Sequence, residues 1–194
     1  MGFLKLISSI YLFFSPVKLI KGVELPKKCV IIGAPHTSYW DGILMAVGLW
    51  QTKRKFCFFV KDSAAKLPII GSIVRAVGGL AIDRSEKHGM VGSAVAKAKE
   101  ADEIMIVIAP KGTRSKREYW KSGFYHIAYQ ADLPVVLGFL DTARTKTFGW
   151  GKIVHLTGNM KADMDVIREF YADKSGWRPE LKSEPRLRDE EKSL

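Results

Sequence analysis

The sequence contains a series of short apolar runs, each followed by a polar turn and a segment of helical character. The clearest run lies at 103–109, and the others lie at 28–34, 56–60, 80–84 and 134–140. Short apolar runs bounded by turn signals are typical of buried strands. Because helical segments separate the runs, the sequence predicts an α/β fold, a single layered domain with a largely parallel or mixed central sheet flanked by helices.

The composition divides the chain of 194 residues into three parts. The apolar N-terminal segment 1–22 carries scattered lysines, and 23–174 forms the main domain. In the last part, 175–194, charges are dense and apolar residues sparse, so we expect a loosely attached tail. Within the main domain, the glycines of 149–151 predict a break before an edge strand at 153–156.

The N-terminal segment has two interpretations. Its uncharged run, 6–17, is too short to cross a bilayer core of about 30 Å, and no small-residue cleavage site marks a signal peptide. Apolar residues share one face of a helix that Pro16 limits. The first interpretation is a helix lying in the membrane interface, at the cytoplasmic face, with its lysines near anionic headgroups. The second is an ordinary first helix packed on the core.

The charge and the cysteines narrow the range of partners. The formal net charge of +11 implies an anionic partner, which is a membrane surface, a nucleic acid or a phosphorylated substrate. No nucleic-acid recognition motif is present, so we expect no nucleic-acid partner. Cys29 and Cys57 lie inside apolar runs, which predicts buried reduced thiols. Without CxxC or HExxH patterns, we expect no metal. We also expect no cofactor.

One histidine and one aspartate follow the first predicted strand closely. His36 lies on the loop after that strand, and Asp41 lies near the first turn of the next helix. An aspartate there can accept a hydrogen bond from one imidazole nitrogen and leave the other as a base. No nucleophile accompanies the pair, so the attacking oxygen would come from a substrate. The alternative is a loop histidine followed by a helix-capping aspartate.

Loops at the carboxyl ends of parallel strands meet at one edge of the sheet, where ligands bind. That rule selects the loops 35–41, 83–85 and 110–115. Their cations can clamp a phosphate, Gly112 lets the backbone come close, and two hydroxyls can donate. The residues that we predict to bind substrate are Arg84, Lys111, Gly112, Thr113, Arg114 and Ser115. Alternatively, Arg84 pairs with Asp83, and 110–115 is a solvated turn.

Four blocks occur in the order and spacing of a known family. They are His36-x4-Asp41, Gly79-Leu80-Ala81-Ile82-Asp83-Arg84, Pro110-Lys111-Gly112-Thr113-Arg114-Ser115 and Leu133-Pro134-Val135-Val136. In these blocks the chain resembles the 1-acyl-sn-glycerol-3-phosphate (lysophosphatidate) acyltransferases. The resemblance implies a membrane-associated enzyme without a metal. It would move a fatty acyl group from acyl-CoA or acyl-carrier protein to the free hydroxyl of a lysophospholipid acceptor, above all 1-acylglycerol-3-phosphate, giving phosphatidate.

The sequence departs from the family pattern at two positions. Pro35 stands where the family usually has asparagine, and Lys111 stands where it usually has glutamate. The second change reverses a charge in the expected acceptor site. It implies either an altered acceptor, with the ammonium contacting a phosphate, or a weakened enzyme. Two alternatives therefore remain beside the main hypothesis: a phospholipid-binding membrane protein with little or no catalysis, and an acyltransferase with a different lysolipid acceptor.

Overall fold

The computed structural model describes residues 2–61, 79–82 and 89–191. It contains five helices and seven strands within these ranges. The helices are α1 (Gly2–Phe14), α2 (Trp40–Trp50), α3 (Gly89–Glu100), α4 (Gly123–Gln130) and α5 (Met160–Tyr171). The strands are β1 (Lys18–Lys21), β2 (Lys28–Ala34), β3 (Phe56–Lys61), β4 (Gly79–Ile82), β5 (Ile104–Ile108), β6 (Val135–Asp141) and β7 (Thr147–Val154). Two short 3₁₀ helices, Pro179–Leu181 and Arg188–Glu191, lie near the C-terminus.

The strands form one sheet in the order β1-β7-β6-β2-β5-β3-β4. The pairs from β6 through β2, β5 and β3 to β4 are parallel, whereas β6 and β7 are antiparallel. The prediction of an α/β domain with a largely parallel or mixed sheet is confirmed. Because β2 and β5 are parallel neighbours, the loops that follow them lie at the same edge of the sheet.

The central strand β2 is buried on both faces, as its unbroken apolar sequence requires. Successive side chains of a strand point to opposite faces. Ile31 packs on the α2 side with Met45 and Leu49. Ile32 packs on the other side, in the cluster that contains Phe124 of α4 and Ile167 of α5. The end of β2 is therefore held by core packing on both faces, which fixes the start of the loop 35–41.

Two expectations about the far edge of the sheet are wrong. No break occurs at 149–151, since β7 runs through both glycines, and β1 rather than β7 is the edge strand. Gly149 has φ +145, and a Cβ there would lie 1.8 Å from the carbonyl oxygen of Ile20 in β1. The glycine therefore permits the close approach of β1 and does not end the strand.

The expectation of a loosely attached tail is also wrong for 175–191. The Ser175 amide donates to Asp141 Oδ1 at 2.9 Å, and the Trp120 amide donates to the carbonyl of Arg186 at 2.7 Å. Leu187 is fully buried. The 3₁₀ helix near the end is tied to α5 because Arg168 Nη2 lies 3.0 Å from Glu190 Oε2. This stretch, hereafter the C-terminal segment (175–191), is packed on the domain.

Helix α1 packs on α2 with one face and leaves another exposed. Ser8 Oγ donates to the Val47 carbonyl at 2.7 Å, and Gln51 Nε2 donates to Ser8 Oγ at 2.8 Å. The opposite face is apolar and exposed, with exposed fractions from 54% to 82% at Phe3, Leu6, Ile10, Phe13 and Phe14. The structure thus contains the packed helix of the second interpretation, and it leaves an apolar surface of the kind that the first interpretation requires.

Candidate active site

Asp41 organises the loop between β2 and α2. Its Oδ2 accepts the backbone N–H groups of Thr37, at 2.6 Å, and Ser38, at 2.8 Å. The carboxylate lies in the first turn of α2, where the helix dipole favours a negative charge. The helix-capping alternative for Asp41 is wrong, because Oδ2 accepts amides of the loop that precedes α2, and Tyr39, the N-cap residue, makes no side-chain capping bond. Thr37 and Asp41 are both 1% exposed, so the interior of this loop is closed to water.

The same carboxylate oxygen lies beside the imidazole. His36 Nδ1 is 3.4 Å from Asp41 Oδ2. That distance is slightly longer than a hydrogen bond of roughly 2.7–3.2 Å, and catalytic pairs are often loose until a substrate binds. The His36 side chain is 19% exposed, whereas the Asp41 side chain is closed off. Asp41 is thus on the inner side of His36, and Nε2 is the imidazole nitrogen left for a substrate.

Lys111 is buried behind this pair. It is 4% exposed, and its Nζ donates to the carbonyl oxygens of Leu181, at 2.7 Å, and Arg114, at 3.2 Å. Burial lowers the pKa of Lys111, and the Asp41 carboxylate opposes that effect in part. Asp41 Oδ1 is buried and has no hydrogen-bond partner among the described residues, so the nearby positive charge helps to compensate it.

A cavity of about 690 Å³ opens beside His36. Its size is in the range of roughly 300–1,000 Å³ that is usual for ligand pockets. Most of its wall is apolar and comes from α2, β3, β5 and the starts of α3 and α4. The apolar side chains that line it include Ile43, Met45, Ala46, Trp50, Phe56, Phe58, Met90, Val107, Ile108 and Phe124. Such a wall suits a hydrocarbon chain.

The polar part of the wall includes residues of the loop 110–115 and its neighbours. Gly112, Thr113 and Arg114 line the cavity together with Tyr39 and Lys121. The Arg114 guanidinium carbon lies 3.9 Å from the centroid of the Tyr39 ring, and Nη2 donates to the Tyr39 hydroxyl at 2.8 Å. Arginine stacks well on aromatic faces. Tyr39, which belongs to the same loop as His36, therefore holds the Arg114 guanidinium in place.

The structure brings together only some of the residues predicted to form the site. His36, Gly112, Thr113 and Arg114 line one cavity, with Asp41 directly behind His36. Lys111 faces two carbonyl groups and does not line the cavity. Ser115 is exposed, and its amide donates to Thr113 Oγ1 at 3.4 Å. Arg84 lies outside the described residues.

Sequence reasoning missed Tyr39 and Lys121. Tyr39 lies between His36 and Asp41, and nothing in the spacing of the motif distinguishes it from its neighbours. Lys121 is two positions before α4 and well after the loop 110–115. A cation just before a helix that starts at the same sheet edge was the available signal, because helix N-termini attract anions.

The C-terminal segment also reaches the loop 35–41. The Arg178 amide donates to Thr37 Oγ1 at 3.3 Å, and a Cβ on Gly176 would lie 2.6 Å from the same oxygen. With the bond from Lys111 to Leu181, this segment contacts both loops of the site. The segment therefore forms part of the support of the site.

Two other features are absent from the described ranges. No cluster of histidine, cysteine and acidic side chains there could hold a metal ion. None of the helices in the same ranges has the length and apolar character needed to span a membrane.

Comparison with known proteins gives the family and the fold. The Acyltransferase family model matches residues 18–136. A 1-acyl-sn-glycerol-3-phosphate acyltransferase of Cocos nucifera is 30% identical over 122 residues, which cover 60% of this chain and 39% of that protein. Its counterpart in Limnanthes douglasii is 28% identical over 136 residues, which cover 66% of this chain and 46% of that protein. The chain thus spans less than half the length of these plant relatives.

A solved structure has the same fold. It is the 1-acyl-sn-glycerophosphate (LPA) acyltransferase PlsC of Thermotoga maritima, which superposes with a TM-score of 0.59 over 89% of this chain and 78% of that one. The sequence identity is 16%, so the match bears on the fold alone.

Proposed function

The chain belongs to the acyltransferase family, and on that premise we propose that it transfers a fatty acyl group from a thioester to the free hydroxyl of a lysophospholipid. The donor is acyl-CoA or acyl-carrier protein, and the acceptor is 1-acylglycerol-3-phosphate, which becomes phosphatidate. The observation that carries the proposal is the shared cavity. His36 and Arg114 line the same apolar space, so a base, a phosphate-binding group and a hydrocarbon wall occur together.

In the proposed mechanism His36 is the general base. Asp41 holds the imidazole through Nδ1, and Nε2 takes the proton of the acceptor hydroxyl as its oxygen attacks the thioester carbonyl carbon. The tetrahedral oxyanion collapses, the carbon–sulfur bond breaks, and the thiolate leaves with the proton that His36 returns. One ester forms and one thioester is lost, so the reaction needs no acyl-enzyme and no other reactant.

Binding and positioning account for the rest of the site. The apolar wall excludes water from the acyl chain, and Arg114 binds the phosphate of the acceptor. Holding the acceptor this way places its hydroxyl beside His36, which makes the attack effectively intramolecular. We assign Lys111 to the support of the loop, because its ammonium donates to two carbonyls.

Thiol release from acyl-CoA tests the proposed function. We expect release by the purified chain that depends on lysophosphatidate and falls at least about 10²-fold in His36→Ala, since general-base catalysis contributes about 10²–10⁴-fold. Circular dichroism of the same sample shows whether the variant is folded. A folded His36→Ala that keeps most of the rate would rule out the mechanism. If the unmodified chain binds lysophospholipid vesicles and releases no thiol with either donor, the non-catalytic lipid-binding alternative stands.

A panel of acceptors tests the lysolipid alternative in the same assay. The comparison is between lysophosphatidate and lysophospholipids with larger headgroups. A preference for a lysophospholipid with a larger headgroup would support acyl transfer and would replace lysophosphatidate as the proposed acceptor.

We further propose that the exposed side of α1 contacts an anionic membrane surface. The surface is the cytoplasmic face of that membrane. The contacts of Ser8 with Val47 and of Lys5 with Gln51 make α1 antiparallel to α2. The end of α1 with Phe13 and Phe14 therefore lies toward the start of α2, where Trp40 and Ile43 are also exposed. Exposed apolar patches of this kind mark interaction sites, and the net positive charge favours anionic lipid.

Vesicle sedimentation tests this placement. We expect the variant Phe13→Ser/Phe14→Ser to lose most of its binding to vesicles that contain phosphatidylglycerol. Val166→Ser, which removes an exposed apolar residue of α5, is the matched control. Equal binding by the two variants would contradict the proposed membrane face.

A further inference from the structure

Lys121 lies at the cavity, directly over the loop 110–115. Its amide donates to the carbonyl of Pro110 at 2.9 Å, which ties its backbone to that loop. Its side chain covers Gly112, because a Cβ built on that glycine would be 3.0 Å from Lys121 Cε and 3.2 Å from Nζ. Both residues line the same cavity as His36. The ammonium is therefore placed beside the loop that carries Arg114.

The neighbouring lysine of the loop is in the opposite situation. Lys111 is 4% exposed and donates to the carbonyls of Arg114 and Leu181. Lys121 is exposed, and within the described residues its ammonium forms no ion pair with an acidic side chain. Of these two lysines, only Lys121 can meet a ligand without giving up an existing bond.

The surroundings of Lys121 favour an anion. Arg114 lines the same cavity and supplies a second cation, held by Tyr39. Helix α4 begins at Gly123, which also lines the cavity, so the positive end of that helix dipole lies at the same wall. Gly112 has φ +67 and carries no side chain that would separate a ligand from the Lys121 stem.

We propose that Lys121, together with Arg114, binds the phosphate of the acceptor and sets the selectivity for phosphate-bearing lysolipids. The inference rests on the proposed acyl transfer and names the group that selects its acceptor. A guanidinium and an ammonium on one wall can contact different oxygens of one phosphate dianion. The phosphates of a CoA donor share this chemistry. The acceptor is favoured because its hydroxyl must reach His36 in the same cavity.

Kinetics with two acceptors test the assignment. The acceptors are lysophosphatidate and a monoacylglycerol, which lacks the phosphate. For Lys121→Met we expect KM for lysophosphatidate to rise about tenfold, the loss of one charge-assisted contact, with kcat within about twofold. KM for the monoacylglycerol stays unchanged, and Lys121→Arg recovers most of the loss. Lys116→Met is the matched control, because Lys116 is exposed in the same stretch and does not line the cavity.

Three results would overturn the assignment. They are an unchanged KM for lysophosphatidate in Lys121→Met, an equal rise with the monoacylglycerol, and a rise confined to KM for acyl-CoA. The last result would move Lys121 to the donor side.

Chemical footprinting separates this inference from the acyl-transfer proposal. The unmodified chain is treated with an amine-acetylating reagent with and without lysophosphatidate, and each lysine is followed by mass spectrometry. We expect lysophosphatidate to protect Lys121 and not Lys116. Protection without turnover would support the phosphate contact and reject acyl transfer, whereas turnover without protection would reject the contact alone. The measurement needs no variant, so a misfolded Lys121→Met does not weaken it.

Discussion

The inner and outer parts of the site differ in how their polar groups are held. The inner part comprises Thr37, Asp41 and Lys111, which are at most 4% exposed and bonded to the protein backbone. The outer part comprises Tyr39, Arg114 and Lys121, which line the cavity and are only partly covered. Neighbouring positions of the loops 35–41 and 110–115 thus differ in how they are held, and Lys121 adds a third cavity-lining polar group from the segment before α4. In the proposed function the inner groups hold the geometry around His36, and the outer groups contact the acceptor.

The contrast between the inner and outer parts also bears on Lys111, which stands where the family usually has glutamate. A cation in the expected acceptor site suggested an altered phosphate contact. In the structure its ammonium instead joins the loop 110–115 to the C-terminal segment through Leu181. A charge reversal in a motif therefore need not alter ligand chemistry when the side chain points inward.

The largest change in unfolding free energy is expected when the buried charge of Lys111 is reversed. Lys111→Glu would place a carboxylate against the carbonyls of Arg114 and Leu181, close to Asp41. Breaking a buried charge contact costs about 3–5 kcal/mol of unfolding free energy, and Lys111→Met should cost less, about 1–3 kcal/mol. Urea denaturation measures both. The control Lys116→Glu is exposed and should stay within about 0.5 kcal/mol. Equal stability of the two glutamate variants would mean that Lys111 is not held inside.

A smaller loss of stability is expected where the C-terminal segment touches the loop 35–41. In Gly176→Ala the new methyl group would lie 2.6 Å from Thr37 Oγ1, so the segment must shift, at a cost of about 1–3 kcal/mol. Gly42→Ala is the matched control, because no atom lies within 4 Å of the added carbon and alanine favours the helix by up to about 1 kcal/mol. The midpoint temperature of thermal unfolding should therefore fall in Gly176→Ala and rise in Gly42→Ala. A shift of the same sign in both would contradict the contact.

The smallest effect concerns pH. Burial lowers the Lys111 pKa below its usual value of 10.5, so the folded protein releases this proton before the unfolded chain does. Between the lowered pKa and 10.5 the unfolded state binds more protons, and the stability contribution of Lys111 rises with pH by at most about 1.4 kcal/mol per unit. The stability difference between the unmodified chain and Lys111→Met should grow in favour of the unmodified chain across that window. A flat difference up to pH 10.5 would show that the pKa is not lowered.

Local patterns were enough to predict most of the fold. Unbroken apolar runs identified β2, β5 and β6, and alternation with helices identified the parallel part of the sheet. The rule that sites form at the carboxyl ends of such strands brought His36 and Arg114 to one cavity. These predictions succeeded because each depended on a short stretch of sequence and one general packing rule.

The features that could not be predicted from the sequence depend on contacts between segments that are distant in the chain. The approach of β1 to Gly149, the bond from Lys111 to Leu181 and the contact of Gly176 with Thr37 each join positions far apart in the chain. Much of the attachment of the C-terminal segment uses backbone hydrogen bonds, which leave no trace in composition. Charge density alone therefore gave the wrong expectation of a loose tail.

Binding and turnover measured on the same His36→Ala sample test the proposed division of the site. If His36, backed by the inner part, performs the chemistry and the outer part binds the acceptor, the Kd of His36→Ala for lysophosphatidate should stay within about threefold of that of the unmodified chain. Turnover should fall at least about 10²-fold. Retained turnover, or the loss of binding and turnover together in a folded sample, would contradict this division of the site.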